Sequence, residues 1–325
     1  MKLANIYGFL RKDLQEVEDN LAKMVDAEHP ILREASLQLL RAGGKRIRPV
    51  FVLLSAHFGD YTKYKEEVKA VAVALELIHM ATLVHDDVVD DAELRRGKPT
   101  IKHTYGNRVA MYTGDYILAR ALELITVVED PNIHRSLSKT LVQVVEGEID
   151  QIEDKFNLEQ NLRDYLRRIK RKTALLIATS CKLGAIAART TPKEANQLYR
   201  YGYNVGMSFQ IIDDILDFTS SPEELGKPTG SDLLQGNITL PVLYAMEDES
   251  FLHDLMNVYH AEDGINENNI DEIIQKMRKT DAIKKSYDLS NLYLQKALES
   301  LDGLEQNKAK RTLQTIANLI GKRRS

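Results

Sequence analysis

The feature that most restricts this chain is a run of carboxylates seated at the end of an apolar helical stretch. Val71, Val73, Leu75, Leu77, Ile78, Met80, Leu83 and Val84 lead directly into Asp86, Asp87, Asp90, Asp91 and Glu93, and these are followed at once by Arg95 and Arg96. On a helix, Asp86 and Asp90 lie one turn apart on the same face, with Asp87 beside them. Carboxylates gathered on an apolar helix are costly unless something neutralises them. A hard divalent cation does so. Mg²⁺ takes a few carboxylate oxygens and completes its shell with water and substrate phosphates.

The pattern occurs twice. Phe209-Gln210-Ile211-Ile212-Asp213-Asp214-Ile215-Leu216-Asp217 is again Asp-Asp-x-x-Asp. Gln210, Asp213, Asp214 and Asp217 recur at the spacing of one helical face. A single copy could be a solvated helix start. Two copies inside strongly apolar helices are not explained that way.

Hydrophobic periodicity predicts helices throughout and hence an all-α fold. Ile6, Phe9, Leu10, Leu14, Val17, Leu21 and Met24 mark an amphipathic helix. A second spans residues 31–41 and stops at Gly43-Gly44, a helix C-terminal signal. Residues 50–56 are apolar, and the helix with the first acidic motif follows. Gly97-Lys98-Pro99 opens a loop. Further helices are predicted over residues 111–128, over 133–156 with Gly147-Glu148 and Gln151 inside it, over 165–188 and over 197–218. Residues 219–237 form a polar loop with Pro222, Gly226, Pro228, Gly230 and Gly236, long enough to suggest a functional lid. Two or three helices finish the chain. No β alternation stands out.

At 325 residues, 43% hydrophobic and 28% charged, the chain can bury a sizeable core. No Pro/Gly/Ser-rich linker divides it, so residues 1–325 are expected to form a single domain. A net charge of −4 argues against nucleic-acid binding. The one cysteine, Cys181, lies in an apolar run and suits a core position in a reducing compartment. No apolar stretch reads as long enough for a membrane span. Arg11, Lys12 and several acids occupy the place of a signal-peptide core. A cytoplasmic location is the expectation.

Metal-bound carboxylate clusters call for a polyanionic substrate, and cations are at hand. Lys45, Arg46 and Arg48 follow the Gly-Gly turn, Arg95 and Arg96 adjoin the first cluster, and Lys172 and Lys227 add further charge. Guanidinium forks and ammonium point charges both bind phosphate oxygens. Any one of these could be an ordinary surface charge, but Arg95-Arg96 beside the carboxylates is hard to read so. His79 lies two turns before Asp86 on the same face, which favours a phosphate-donor role over metal ligation.

These motifs together resemble the trans-polyprenyl diphosphate synthases. The resemblance rests on Gly44-Lys45-Arg46-Ile47-Arg48-Pro49, Glu76-x-x-His79, Asp86-Asp87-x-x-Asp90 with Arg95-Arg96-Gly97, Gly114-Asp115, Lys172-Thr173-Ala174, and Phe209-Gln210-x-x-Asp213-Asp214-x-x-Asp217 followed by Gly226-Lys227-Pro228. Within that family the stretches from Gly43 to Leu54 and from Tyr165 to Ile177 look most like the catalytic large component of the two-component bacterial heptaprenyl diphosphate synthases. Many relatives carry Lys where this chain has Asn237, so that phosphate contact is not carried over.

The resemblance implies an isoprenoid-synthase-type helical bundle around a central cavity, with the two acidic motifs facing each other. It implies Mg²⁺ held by Asp86, Asp90, Asp213 and Asp217, with Asp87 and Asp214 completing the catalytic set. Arg95, Lys172, Thr173, Gln210 and Lys227 would serve the allylic diphosphate. Lys45, Arg48, His79 and Arg96 would bind isopentenyl diphosphate. Thr173 and Gln210 would also stabilise an allylic cation. Chain length would be set at Ala81, Thr82 and Ile78, with Leu75 deeper. The product would be a long all-trans polyprenyl diphosphate, heptaprenyl by subgroup, for the menaquinone side chain. The partner would be a small non-catalytic subunit.

Other readings compete. A homodimeric synthase of hexaprenyl or octaprenyl length is the nearest. A terpene cyclase shares the first motif, but its second site normally mixes Asn, Ser and Glu. An HD-type phosphohydrolase is prompted by His85-Asp86 and leaves the second motif unexplained. A non-catalytic helical subunit would be expected to lack one or both acidic motifs.

Overall fold

Helices make up nearly all the regular structure of the computed structural model, which describes residues 8–221, 228–260 and 265–323. After a 3-10 turn (Gly8–Leu10) come α1 (Arg11–Met24), α2 (Pro30–Arg41), α3 (Ile47–Ala56) and α4 (Lys65–Val89). A small hairpin, β1 (Leu94–Arg95) and β2 (Lys98–Pro99), leads to α5 (Ile101–Tyr105), α6 (Asn107–Ile125) and α7 (Pro131–Glu153). Then follow α8 (Leu162–Ile169), a π-turn (Lys170–Ala174), α9 (Leu175–Ala187) and α10 (Pro192–Thr219). The remainder is α11 (Ser231–Leu234), α12 (Leu240–Ala245), α13 (Glu249–His260), α14 (Glu267–Arg278), α15 (Ala282–Ser300) and α16 (Lys308–Gly321).

The chain divides into two compact units. The first comprises Met1–Ser138, Thr179–Tyr199 and Gly303–Leu313. Its central element is α4, which packs against α3 and α6 and buries Val68 through Met80 almost without interruption. Proline at the first turn starts α2, and Gly43 at φ +73° ends it, as the Gly-Gly signal predicts. Gly184 of α9 lies so near α3 that an added Cβ would fall 2.2 Å from the Val52 carbonyl oxygen. Cys181 is fully buried, and burial pushes its thiol up to about 12.

By length and composition α4 could cross a membrane, contrary to the sequence expectation. An 18-residue window has mean hydropathy 1.5, and 72% of that window is buried inside the protein. Glu76 and His79 break the run to the eye, yet the average absorbs them. It is the core helix of this unit.

The second unit comprises Lys139–Ala178, Arg200–Asp302 and Gln314–Ser325. Its core gathers Phe218, Leu233, Val242, Phe251, Leu255, Ile273 and Met277. The start of α8 is fixed by a capping box in which Asn161 and Asp164 satisfy each other's backbone donors. The helix predicted over residues 165–188 is therefore longer at its start and is interrupted by the π-turn. The polar loop predicted over residues 219–237 contains α11. Ile6, Pro222, Gly226 and Lys227 lie outside the described residues.

Candidate active site

In the first unit the last turn of α4 carries Asp86 and Asp87, and Asp90 forms its C-cap. Carboxylates at a helix C-terminus oppose the helix dipole, so this end needs outside positive charge. Asp86 is half-buried and Asp90 exposed. Asp87 turns inward, 4% exposed, and its Oδ1 accepts from Arg95 Nε at 2.8 Å and Nη2 at 2.7 Å. That pair ties the hairpin to the helix. Arg96 (φ +54°) and Gly97 (φ +72°) are the two central residues of the hairpin, where positive φ suits the strand twist.

The hairpin delivers Arg96 to the turn before α3, where its Nη1 donates to the Gly43 carbonyl. Gly44 leaves room for this approach, since an added Cβ would sit 3.1 Å from Arg96 Nη1. Arg46, at φ +48°, is committed elsewhere: it donates to both Glu18 oxygens and, at 3.1 Å, to Glu76 Oε1. Burial disfavours its charge, but Glu18 and Glu76 outweigh that and raise its pKa. Arg48 Nε is out of solvent with no hydrogen-bond partner, and burial draws the guanidinium down to about 10 against the pull of Glu76. Arg96 is also lowered, by burial and then by Arg95 and Arg46.

His79 sits within this cationic group. Burial first, then Arg48, Arg95, Arg96 and Arg46, hold its pKa well below the usual histidine value, so the ring is neutral at neutral pH. Arg48 and Arg96 make no ion pair among the described residues. Multidentate oxyanions are the ligands such a group is short of. Lys45 is exposed on the same turn. Deeper along α4, Ile78 and Ala81 are 1% and 2% exposed, and the Thr82 hydroxyl donates to the His79 carbonyl at 2.8 Å.

In the second unit α10 carries the other motif. Asp213 is exposed, with Arg323 Nη2 3.9 Å from its Oδ1 and the same guanidinium over the Phe209 ring. Asp214 is 3% exposed. It accepts from Tyr165 Oη at 2.6 Å and Gln210 Nε2 at 2.8 Å. Thr173 Oγ1 donates to Gln210 Oε1 at 2.6 Å, so one donor chain runs Thr173, Gln210, Asp214. Lys172 Nζ donates to Gln151 Oε1 at 2.6 Å and lies 3.9 Å from Glu148 Oε2.

Asp217 stands apart from the other acids expected to ligate metal. It is 1% exposed, and its two oxygens accept from Ser231 Oγ at 2.9 Å and the Asp232 amide at 3.2 Å. Its carboxylate secures the segment that enters α11. Among the described residues, no three His, Cys, Asp or Glu side chains form a metal-holding group by themselves. Asp86 and Asp90 in the first unit, and Asp213 in the second, each present a carboxylate of the kind a hard cation accepts when phosphate and water complete its shell.

Three residues of this neighbourhood escape sequence reasoning. Tyr165 reads as one more residue of an apolar helix. Gln151 is placed by sequence inside the helix over residues 133–156 with no partner, and Arg323 near the C-terminus carries no motif. Tyr165 meets Asp214 and Gln151 meets Lys172 across 49 and 21 positions, and Arg323 meets Asp213 from the far end of the chain, separations that leave no local pattern.

The polyprenyl synthetase family profile matches residues 29–277. The chain is 57% identical over 324 residues to heptaprenyl diphosphate synthase component 2 of Bacillus subtilis (strain 168), covering 100% of this chain and 92% of that protein. The crystal structure of heptaprenyl diphosphate synthase from Staphylococcus aureus is similar with a TM-score of 0.91 and 42% identity, covering 100% of this chain and 99% of that one. That of polyprenyl synthase from Caulobacter crescentus CB15, complexed with calcium and isoprenyl diphosphate, gives 0.90 and 28% identity, covering 100% and 98%.

Proposed function

This chain belongs to the polyprenyl synthetase family, and from that premise we propose that it is the catalytic component of a two-component heptaprenyl diphosphate synthase. It is a trans-prenyltransferase. Its substrates are isopentenyl diphosphate and an allylic diphosphate, farnesyl diphosphate by preference, and its product serves the menaquinone side chain in the cytoplasm. The observation that carries this reading is shared by both acidic motifs. In each, the middle aspartate is buried in a fixed hydrogen-bonded pair, Asp87 with Arg95 and Asp214 with Tyr165, while Asp90 and Asp213 stay exposed.

The reaction breaks the allylic C–O bond, and diphosphate departs with the electron pair. The isopentenyl double bond then attacks the allylic carbon, and loss of a proton to the released diphosphate regenerates an alkene. Mg²⁺ held by Asp86, Asp90 and Asp213 would neutralise the leaving diphosphate. Arg95 and Lys172 grip that diphosphate, with Lys227 assigned the same task by resemblance. Lys45, Arg48, Arg96 and neutral His79 hold isopentenyl diphosphate.

Thr173 and Gln210 face the allylic cation. Because Thr173 donates its proton to Gln210 and Gln210 donates to Asp214, the lone pairs of Thr173 Oγ1 are left as the negative end of the chain. Asp217 fixes the segment after α10 and is given no metal contact in this reading.

Ala81, Thr82 and Ile78, with Leu75 beyond, are assigned to the path of the growing chain. The partner is a small second component. Supporting that assignment, α7 exposes Val142, Val145, Ile149 and Ile152 on one stripe, at 59%, 65%, 53% and 48%. Such a stripe is the kind of face a partner helix covers.

The test is radiolabelled isopentenyl incorporation with farnesyl diphosphate and Mg²⁺, by the chain alone and with the second component, followed by product-length analysis. The expected result is weak activity alone and heptaprenyl product with the partner. Full long-chain synthesis by the isolated chain, indifferent to the partner, would overturn the two-component reading and leave the prenyltransferase standing.

A further inference from the structure

The π-turn Lys170–Ala174 is approached by bare backbone from two helices. An added Cβ at Gly147 of α7 would fall 2.5 Å from Arg171 Cβ, and one at Gly206 of α10 would fall 2.6 Å from Ala174 Cα. With α7 so close, the two cations at the middle of the turn divide their partners along it. Arg171 takes Asp150 at 2.7 Å and Glu146 at 3.0 Å. Lys172 takes Gln151 at 2.6 Å, with the Glu148 carboxylate 3.9 Å away.

The two cations differ in the chemistry of their nearest partners. Arg171 is neutralised by carboxylates. Lys172 has a neutral amide oxygen as its short contact and a carboxylate only at longer range. A lysine ammonium has three donors on a long flexible stem. A neutral acceptor engages one donor and fixes the stem without cancelling the charge, which leaves two donors and the field for an anion. Fixing the stem beforehand removes part of the ordering cost of binding.

We infer that Gln151 is a positioning residue that presets the Lys172 ammonium for the allylic diphosphate. The inference rests on the diphosphate role proposed for Lys172. It explains why an amide is placed here beside a row of acids. A carboxylate at position 151 would pair with the lysine and repel the incoming diphosphate.

The experiment is steady-state kinetics on the chain with its second component, varying farnesyl diphosphate and isopentenyl diphosphate in turn. Gln151→Met keeps the length of the side chain and removes the acceptor. It is expected to raise KM for farnesyl diphosphate about tenfold, the scale of a lost hydrogen bond to a charged group. The kcat and the KM for isopentenyl diphosphate should stay near the parent values. Gln151→Glu keeps shape and acceptor, and should raise the farnesyl KM further. It carries the test if the methionine variant does not fold.

Lys172→Ala is the reference. In that background Gln151→Met should have no further effect on the farnesyl KM. Fully additive effects, or equal rises in both KM values, would overturn the positioning role. If Lys172→Ala itself leaves the farnesyl KM unchanged, the diphosphate role of Lys172 falls first and takes this inference with it.

Discussion

Tyr165 Oη donates a 2.6 Å hydrogen bond to Asp214 Oδ2, and the two residues are 0% and 3% exposed. Burial pushes the Asp214 carboxyl up to about 7, aided by Asp232 and Asp213 and opposed by the hydrogen bonds from Tyr165 and Gln210. The Tyr165 phenol is itself held well above its ordinary value, by burial and then by Asp214. The middle aspartate of the second motif is thus a fixed, partly protonated member of a donor chain.

That shift sets a pH dependence. The folded chain keeps the Asp214 proton up to pH about 7, whereas the unfolded chain releases it near 3.8. Between those values the native state binds more protons, so this group's contribution to stability falls as pH rises. Denaturant melts in EDTA, from about pH 4 to about pH 8, should show Asp214→Asn gaining on the parent across that window. A constant difference between the two proteins would count against the assignment.

Asp86→Ala and Asp213→Ala should each lower turnover by orders of magnitude while circular dichroism shows unchanged helix content. Asp213 is exposed and Asp86 half-buried, so removing either deletes an oxygen donor and little packing. Near-parent activity in either variant would remove the metal role.

Ala81→Phe should shorten the product to geranylgeranyl length or less. Ala81 lies about one turn deeper than Asp86 on α4 and is 2% exposed, so a benzyl group there must enter the space assigned to the growing chain. An active Ala81→Phe enzyme with an unchanged product distribution would exclude that path.

Two glycines should respond in opposite ways to alanine. At Gly184 the added Cβ meets the Val52 carbonyl oxygen at 2.2 Å, and backbone on both sides must move. A loss of about 1–3 kcal/mol in a denaturant melt is expected. At Gly114 the added Cβ meets the His85 imidazole at 2.3 Å, the tip of a side chain that can swing aside. Alanine's helix propensity, better by about 1 kcal/mol, then offsets the lost contact with Asp115 and leaves stability near the parent. Equal losses at both sites would refute the distinction.

Much of this was legible in sequence because it depends on local spacing. The three-to-four-residue apolar recurrence marks α1, α4 and α10, and four-residue spacing puts Asp86 with Asp90 and Asp213 with Asp217. Spacing gives a face and says nothing of what covers it. Asp217 shares the face of Asp213, yet Ser231 and Asp232 close over it from fourteen and fifteen positions on. Arg46 reads as one more phosphate cation beside Arg48, yet Glu18 and Glu76 capture it from other helices. The π-turn is closely approached by two glycines from different helices, Gly147 and Gly206, a contact that no local spacing announces. Each of these is decided by partners distant in sequence.

The burial of Cys181 makes this molecule convenient for spectroscopy. Its only thiol is sealed in the core and held up to about 12, so maleimide reagents should find nothing to react with while the chain is folded. The rate of labelling then becomes a clock for opening of the region around α9. A cysteine placed by mutation on the exposed stripe of α7 would be the sole reactive position. A fluorophore there would report subunit docking without removal of the native residue.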